Sequence, residues 1–361
     1  MEDDVYRALQ EHLDRTPMGF PPAESGADIR LLKRLFTPEE ARIATYLTYS
    51  TYAVDELDTI YRRMDPAKTS IEDLEVVLDG MASKGLLHFK SEGGKKFYNN
   101  ANWVVGIYEF QVNRLSKELL QAIGEYNAEA YGKAFFSAQP TQLRVIPVQK
   151  SYTPESPVAQ YDDVRRLIEG ADGPFMVTNC ICRQSHALRD DPCKVTQREE
   201  TCIGAGPFAE MYLSLGWGRE ISKEELVQII DQNEQEGLVL QPSNSEKMEF
   251  MCSCCGCCCG LLRGKGAMPK PIEFFTTNFY SDVDHDLCSQ CGTCVDLCQM
   301  KALSFQDDLL MVNLDRCIGC GVCVANCPEG AITLVKRDME LKPPESMDET
   351  YVKILRNRAS T

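Results

Sequence analysis

Eight cysteines near the carboxyl end of the chain have the spacing of metal ligands. Cys288, Cys291, Cys294 and Cys298 form the pattern C-x2-C-x2-C-x3-C, and Cys317, Cys320, Cys323 and Cys327 repeat it before Pro328. Three closely spaced thiolates on one tight loop can bind three irons of a cubane, while the fourth cysteine of the run binds the other cluster. The spacing therefore predicts two [4Fe-4S] clusters. The expected ligands are Cys288, Cys291, Cys294 and Cys327 for cluster 1, and Cys317, Cys320, Cys323 and Cys298 for cluster 2.

The segment around these cysteines resembles the bacterial two-cluster ferredoxins from about residue 281 to residue 336. The resemblance includes an internal repeat, KALSF and GAITL, after the two cysteine runs. It implies one-electron transfer. The chain departs from the family at Gln299, where a proline usually directs the turn into the following helix, so we expect a slightly altered backbone but no lost ligand. Zinc ribbons also use C-x2-C pairs, but they do not need repeated runs of four.

Ten further cysteines form a second field earlier in the chain. One group consists of Cys180, Cys182, Cys193 and Cys202. His186 lies nearby in the sequence, and we expect it on the surface or beside a metal ligand rather than as a ligand itself. The other group is the segment MCSCCGCCCG, which contains Cys252, Cys254, Cys255, Cys257, Cys258 and Cys259. These six cannot all bind one metal, because adjacent side chains point in different directions and one cubane accepts four protein ligands.

We expect a third [4Fe-4S] cluster in this second field. Its ligands would be three or four of Cys180, Cys182, Cys193 and Cys202, with a thiolate from residues 252–259 as a further candidate. A structural zinc ion is the alternative, because a C-x-C, C, C set can be tetrahedral, and free cysteines are the remaining possibility. The span from about residue 175 to 336 resembles a family of multi-cluster iron–sulfur proteins with CxCR and CNCCxCCC-like motifs. This chain has serine in place of the asparagine.

The composition limits the compartment and the partners. All eighteen cysteines lie between Cys180 and Cys327, a distribution that indicates metal binding in a reducing compartment rather than disulfides. The start, MEDDVYRALQEHLDR, lacks the features of a secretory signal, and no apolar run approaches the roughly 18 residues of a membrane span. We therefore expect a soluble, cytoplasmic protein. The formal charge of −16 argues against a nucleic acid partner and favours a protein with a basic surface.

The first part of the chain has well-marked helices and a hairpin. Thr37, Pro38 and Glu40 predict one helix start, and the capping box of Thr69 with Glu72 predicts another helix that ends at Gly85. GLLHFKS and KKFYNN follow as two strands joined at Glu92-Gly93-Gly94. Residues 30–105 thus resemble a winged helix.

The charges of this region do not favour DNA binding. The sequence from Asp65 to Lys84 contains five carboxylates and only two lysines, although the wing adds Lys90, Lys95 and Lys96. A recognition helix would present basic or polar side chains to the major groove. The sequence therefore favours a winged helix used for protein docking or dimerisation.

The expected architecture is α+β. It comprises residues 1–140 as a helical, winged-helix-like domain, 141–160 as a proline-bearing linker, 161–275 as a cysteine-rich middle domain, 276–340 as the two-cluster ferredoxin domain and 341–361 as a tail. Residues 103–136 are expected to be largely helical, and Ser222 with Glu225 predicts a helix up to Gly237.

The expected function is electron transfer to or from a partner oxidoreductase, either a dehydrogenase or a reductase. No nucleophile–base constellation and no flavin or nicotinamide motif indicates catalysis by this chain alone. The alternative is a transcriptional regulator in which cluster state controls a DNA-binding winged helix.

Overall fold

The structure is a computed structural model, and it describes residues 2–64, 69–153 and 158–359. Asp65, Lys68, Pro154 and Pro157, which enter the sequence predictions, lie outside the described residues. The chain forms two compact units. Unit 1 comprises Met1–Gln139, Pro207–Arg219 and Tyr351–Thr361, and unit 2 comprises Pro140–Gly206 and Glu220–Thr350.

Helices and strands are mixed along the whole chain, which confirms the α+β fold class. The elements in chain order are α1 Glu2–Leu13, α2 Ala27–Leu35, α3 Pro38–Ala44, β1 Asp55–Glu56, α4 Leu57–Arg63, α5 Ile71–Ser83, β2 Leu87–Glu92, β3 Lys95–Asn100, α6 Lys117–Tyr126, α7 Gly132–Ser137, α8 Val164–Gly170, β4 Phe175–Asn179, α9 Ile181–Ala187, β5 Glu200–Ala205, α10 Gly206–Ser214, β6 Arg219–Ile221, α11 Lys223–Gln235, β7 Val239–Pro242, β8 Phe250–Cys254, α12 Gly260–Gly266, β9 Phe279–Val283, α13 Thr293–Leu297, β10 Leu303–Gln306, β11 Leu309–Val312, α14 Val322–Ala325, β12 Ile332–Lys336 and α15 Met347–Ala359.

The helices of unit 1 begin close to the predicted residues. Thr37 caps α3 with the expected capping box, since its backbone N–H donates to Glu40 Oε2 at 2.8 Å. The second cap was predicted one residue too early. Ser70 rather than Thr69 caps α5, because Ser70 Oγ accepts from the Asp73 amide at 3.1 Å.

The predicted hairpin of unit 1 is present as β2 and β3. The two strands pair up to Glu92 and Lys95, and Gly93 and Gly94 form the turn with φ of 59° and 78°. Positive φ at two successive residues is the geometry that glycine allows in a tight hairpin. β1 pairs with the other edge of β3, which gives a three-stranded sheet of order β1-β3-β2.

The region 103–136 is largely helical, as predicted. Helical segments follow one another without a break from Lys117 to Ser137, and Glu109–Gln111 forms a further helical turn. The start of the region is the exception, since Val104 has extended backbone angles, with φ of −128° and ψ of 138°. Trp103, just before it, belongs to the aromatic core of unit 1. Trp103 packs there against Phe20 and Tyr126, whose own rings stack 4.5 Å apart.

Unit 2 is built on a five-stranded sheet of order β6-β4-β5-β8-β7. The pairs β4–β5, β5–β8 and β7–β8 are antiparallel. Apolar side chains of α8 and α11, such as Leu167 and Ile230, share one buried core with Val177, Ile203 and Met251 of the strands. α11 begins at the predicted cap, where Ser222 Oγ accepts from the Glu225 amide at 3.1 Å.

The segment predicted as a linker is partly buried in unit 2. Val145, Ile146 and Val148 are almost fully inaccessible, and Ile146 forms an isolated bridge with Leu240 of β7. These apolar side chains pack into the buried cores of unit 2, whereas the linker prediction depended on the prolines of the same stretch. The domain boundaries given above otherwise stay predictions.

The last part of unit 2 repeats one small motif twice. β9 pairs antiparallel with β12, and β10 pairs antiparallel with β11. The two short helices α13 and α14 contact each other. Each follows a glycine with positive φ, Gly292 at 80° and Gly321 at 72°, as tight wrapping of the cysteine loops requires.

Candidate metal centres

The four cysteines predicted for cluster 1 line one cavity. Cys288, Cys291 and Cys294 lie on the loop before α13 and in its first turn, and Cys327 follows α14. Cys291 is exposed, whereas Cys294 is buried. Four thiols around one hollow are a donor set that fits a [4Fe-4S] cluster.

The cysteines predicted for cluster 2 are also neighbours. Burial, and after it the charge of Cys323, raises the pKa of the Cys320 thiol well above its ordinary value, and Cys298 and Cys317 add to the rise. The exchange of the fourth cysteine between the two runs stays a prediction.

Hydrogen bonds to sulfur surround both sets. Ser281 on β9 lies beside the second set, with its amide 3.4 Å from Cys317 Sγ and its hydroxyl 3.2 Å from Cys323 Sγ. The amides of Ala302 and Ala331, each four residues after the last cysteine of a run, donate to Cys298 Sγ at 3.2 Å and Cys327 Sγ at 3.3 Å. Such donors stabilise the more negative state of a bound cluster and so tune its potential.

A stretch of chain covers the second set but not the first. We call residues 147–152 the covering segment. The Val148 amide donates to the Cys320 carbonyl at 3.0 Å, and a Cβ added at Gly321 would lie 2.5 Å from Ser151 Cβ. The corresponding Gly292 is open, since its nearest neighbour would be Phe305 Cε2 at 4.0 Å. The two halves of the repeat therefore differ in access to solvent.

Gln299, the departure from the ferredoxin pattern, joins the two cysteine fields. Its Oε1 accepts from the Gly256 amide at 2.7 Å, and its Nε2 donates to the Gly237 carbonyl at 3.2 Å. A proline could make neither bond. The residue after Cys298 thus contacts the loop that carries Cys255 and Cys257.

Six cysteines of the second field form a closed circuit of thiol contacts. Cys180 contacts Cys182 and Cys202. Cys252 contacts Cys202 and Cys254. Cys259 contacts Cys182 and Cys254. We call this set the six-thiol ring, and it consists of Cys180, Cys182, Cys202, Cys252, Cys254 and Cys259.

The central strands of the sheet position the ring. Cys252 and Cys254 are alternate residues of β8 and share one face. The pairing of Ile203 with Met251 places Cys202 of β5 opposite Cys252. Cys180 lies between the end of β4 and the start of α9, and its amide donates to the Glu199 carbonyl at 2.8 Å.

The remaining four cysteines form a separate, tighter group, which we call the four-thiol group: Cys193, Cys255, Cys257 and Cys258. Their sulfurs all lie within 4.8 Å of one another, and among the described residues this is the one set of metal-ligating side chains that does so. The structure therefore brings Cys180, Cys182 and Cys202 together, but it places Cys193 with a different set.

Neighbouring cysteines of the segment 252–259 divide between the two sets. Cys254 and Cys255 point to different sets, as do Cys258 and Cys259, which agrees with the expectation that adjacent side chains diverge. Cys257 and Cys258 are the exception, because their sulfurs lie 3.6 Å apart. Gly256 separates the two halves of the segment and turns the chain between them.

Two buried cations lie beside the thiols. The Arg183 guanidinium donates to Thr201 Oγ1 and to the Ser253 carbonyl, and although burial lowers its pKa, the charges of Cys180 and Cys255 raise it overall. Burial lowers the pKa of Lys265 to about 7, and its ammonium lies 4.7 Å from the centre of the Phe275 ring. Sequence patterns missed both roles, although Arg183 belongs to the CxCR motif.

His186 is buried rather than on the surface. Its Nε2 accepts from Arg263 at 2.5 Å, and its Nδ1 lies 3.3 Å from Asp191 Oδ2. These partners use both ring nitrogens. His186 therefore positions α9 against α12 and is not a ligand in this arrangement.

The lysines of the hairpin in unit 1 are paired with carboxylates. The pairs are Lys90 with Glu92 at 2.9 Å, Lys95 with Glu56 at 2.8 Å and Lys96 with Glu75 at 2.7 Å. Paired lysines have less charge to offer phosphates. The structure thus adds nothing in favour of a DNA-binding wing.

A family model described as a 4Fe-4S dicluster domain matches residues 286–332. The comparison with curated proteins and the comparison with solved structures gave no match. The match and the geometry of the eight cysteines define the class: the carboxyl-terminal part of the chain is a ferredoxin-like iron–sulfur domain. Among the described residues, no helix is long and apolar enough to cross a membrane.

Proposed function

We propose that the protein transfers single electrons between its metal centres and a partner oxidoreductase. The observation that carries this proposal is the ferredoxin-like domain, with one set of four cysteines around a cavity that reaches the surface at Cys291. A [4Fe-4S] cluster supplies a site that gains or loses one electron without a change in covalent bonds to substrate. The residues proposed to hold the two clusters are the predicted sets of four.

A third [4Fe-4S] cluster in the six-thiol ring is part of this proposal. Three or four of the six thiols would bind irons, and the others would line the cluster. The ring lies against the second ferredoxin set, since Cys254 and Cys259 belong to one apolar core against which Cys298 and Cys320 also pack. Arg183 offsets part of the negative charge that thiolates bring to this buried place.

The partner is proposed to dock at the exposed face around Cys291. Phe305 and Leu309 are large apolar side chains that stay 40% and 48% exposed there, and Asp307 and Asp308 form the turn between them. Apolar contacts at the centre of an interface with charges at its rim suit a transient complex. The carboxylates would attract a basic surface.

Unit 1 is proposed as a second docking module. The order α3, β1, α4, α5, β2, β3 is that of a winged helix, and its hairpin lysines are paired within the unit. A partner protein is therefore a better candidate for this unit than DNA. The regulator alternative has no observation in its favour beyond the order of its elements.

Metal and potential measurements on anaerobically purified protein test the electron-transfer proposal. Three cubane clusters require about 12 irons and about 12 sulfides per chain, and two require about 8 of each. Reduction in one-electron steps at potentials in the ferredoxin range supports the proposal. Absence of reducible clusters, or sequence-selective retention of DNA by the holo protein, contradicts it.

Removing the carboxylates of the proposed docking face tests whether they attract the partner. The double variant Asp307→Asn, Asp308→Asn keeps residues that tolerate the positive φ of 48° and 63° at these positions. We expect slower association with the redox partner, captured anaerobically from the native host, and a weaker dependence on salt. Asp172→Asn, which removes one exposed carboxylate elsewhere in unit 2, is the control for each of the single variants Asp307→Asn and Asp308→Asn and leaves the rate unchanged.

A further inference from the structure

The four-thiol group is smaller than a cluster site. Cys193 Sγ lies 3.6 Å from Cys255 Sγ and 3.7 Å from Cys257 Sγ. Cys257 Sγ lies 3.5 Å from Cys255 Sγ and 3.6 Å from Cys258 Sγ. The two remaining distances, from Cys258 Sγ to Cys193 Sγ and to Cys255 Sγ, are within 4.8 Å.

This spacing matches the edge of a tetrahedron around one ion. With metal–sulfur bonds of about 2.3 Å, the sulfurs of a four-cysteine zinc site lie about 3.8 Å apart. A cubane binds each thiolate through a different iron, which separates the sulfurs by roughly 6 Å. The observed distances of 3.5–3.7 Å therefore fit a single ion and leave no room for a cubane.

The local chain explains how four thiols converge. Cys193 lies in the irregular stretch between α9 and β5, and the other three lie in the turn between β8 and α12. A Cβ at Gly256 would lie 2.6 Å from the Gln299 carbonyl oxygen, so only glycine lets the turn pass between Cys255 and Cys257. An ion bound here would tie two irregular segments together.

The surroundings are those of a closed site. Leu238 is fully buried against Cys255 and Cys258, and Val195 packs on the same cluster. The Arg183 guanidinium lies against Cys193 and Cys255, where it can offset part of the charge of four thiolates and a divalent cation. Four protein ligands leave no open coordination position, as in structural zinc sites.

We propose that Cys193, Cys255, Cys257 and Cys258 bind one tetrahedral Zn2+ ion, separate from every iron–sulfur cluster of the protein. Zinc rather than ferrous iron is assigned because a given site generally binds Zn2+ more tightly than Fe2+, and because a tetrahedral all-thiolate site suits zinc. The site does not rest on the electron-transfer proposal. Its role is to fix the segment 193–199 and the turn 255–258 beside the six-thiol ring.

The test begins with the unmodified protein. Metal analysis after anaerobic purification should give about one zinc per chain, and zinc-edge X-ray absorption should show four sulfur neighbours at about 2.3 Å. A chain without zinc, or a zinc ion with oxygen or nitrogen neighbours, overturns the proposal. An extra iron without extra sulfide at the same four cysteines overturns the choice of zinc.

Two matched variants separate this site from the ring. Cys257→Ser should lose the zinc, by at least tenfold in zinc per chain, while its iron and sulfide content stays unchanged. Cys202→Ser, in the six-thiol ring, should keep the zinc. Loss of iron and sulfide in Cys257→Ser with zinc retained would assign the four thiols to a cluster and overturn the proposal. If Cys257→Ser does not fold, the X-ray absorption of the unmodified protein still decides.

Discussion

The two glycines that precede α13 and α14 offer a test of the covering segment, because the internal repeat supplies its own control. Gly292 and Gly321 occupy corresponding positions, each just before a helix and each with positive φ. Only Gly321 is covered, with Ser151 Cβ 2.5 Å from the place where a Cβ would stand. We therefore expect Gly321→Ala to destabilise the protein more than Gly292→Ala.

The magnitude follows from two separate costs. A non-glycine residue at positive φ costs roughly 1–2 kcal/mol, and this cost is common to both substitutions. Forcing an extra methyl group into a packed place costs roughly 1–3 kcal/mol more, and only Gly321→Ala has this cost. Since about 1.4 kcal/mol corresponds to a factor of ten, the equilibrium constants of unfolding of the two variants should differ by roughly 5- to 150-fold.

The measurement is the first-order loss of visible iron–sulfur absorbance in urea, under anaerobic conditions. Ser151→Gly removes the obstructing Cβ and hydroxyl but not the positive-φ cost, so adding Gly321→Ala to Ser151→Gly should speed the loss of absorbance only about as much as Gly292→Ala does in the unmodified protein. The difference from additivity gives the coupling between the two positions. Equal rates for the two glycine variants, or no rescue by Ser151→Gly, would refute the packing described for the covering segment.

Three further outcomes are expected. Ser281→Ala removes the hydroxyl 3.2 Å from Cys323 Sγ and should lower the reduction potential of one cluster by roughly 40 mV, or about 1 kcal/mol for one electron. Protein-film voltammetry measures this shift. Thr293→Val, which removes a longer contact of 3.5 Å to Cys291 Sγ, should have a smaller effect. Burial lowers the pKa of His88 from 6.5 to about 4, so between these pH values the unfolded chain binds one more proton than the folded chain. The free energy of unfolding of unit 1 should therefore fall as the pH falls from 6.5 to about 4. Tryptophan fluorescence can follow this, and the slope should be smaller in His88→Gln. Gln299→Ala should speed hydrogen exchange at the Gly256 amide by roughly 5- to 30-fold, because the loss of its acceptor costs about 1–2 kcal/mol; unchanged exchange would show that this bond does not hold the turn.

Local patterns were sufficient for much of the fold. The capping residues Thr37 and Ser222 and the turn at Gly93 and Gly94 act through bonds to residues a few positions away, so the chain order reveals them. The two runs of cysteines are informative for the same reason. Spacing within a run predicts three thiols on one loop, whereas the fourth thiol of the cavity, Cys327, belongs to the other run.

The division of the second cysteine field could not be predicted in this way. Cys202 meets Cys252 because β5 and β8 pair, and Cys193 meets Cys257 because an irregular segment folds back. Neither contact follows from spacing along the chain. The alternation of Cys252 and Cys254 on a strand was the one available signal, and recognising it would have required assigning β8 beforehand.

The covering segment also bears on whether the ferredoxin-like part can be exchanged between proteins. Its sequence repeat suggests a cassette that could be cut out and attached elsewhere. The Val148 amide nevertheless satisfies the Cys320 carbonyl, and Ser151 closes the space over Gly321. A transplanted cassette of residues 276–340 would leave one of its two cysteine loops open to solvent. Evolution or an engineer could therefore move this part to a new protein only together with residues 147–152, or with a host surface that replaces them.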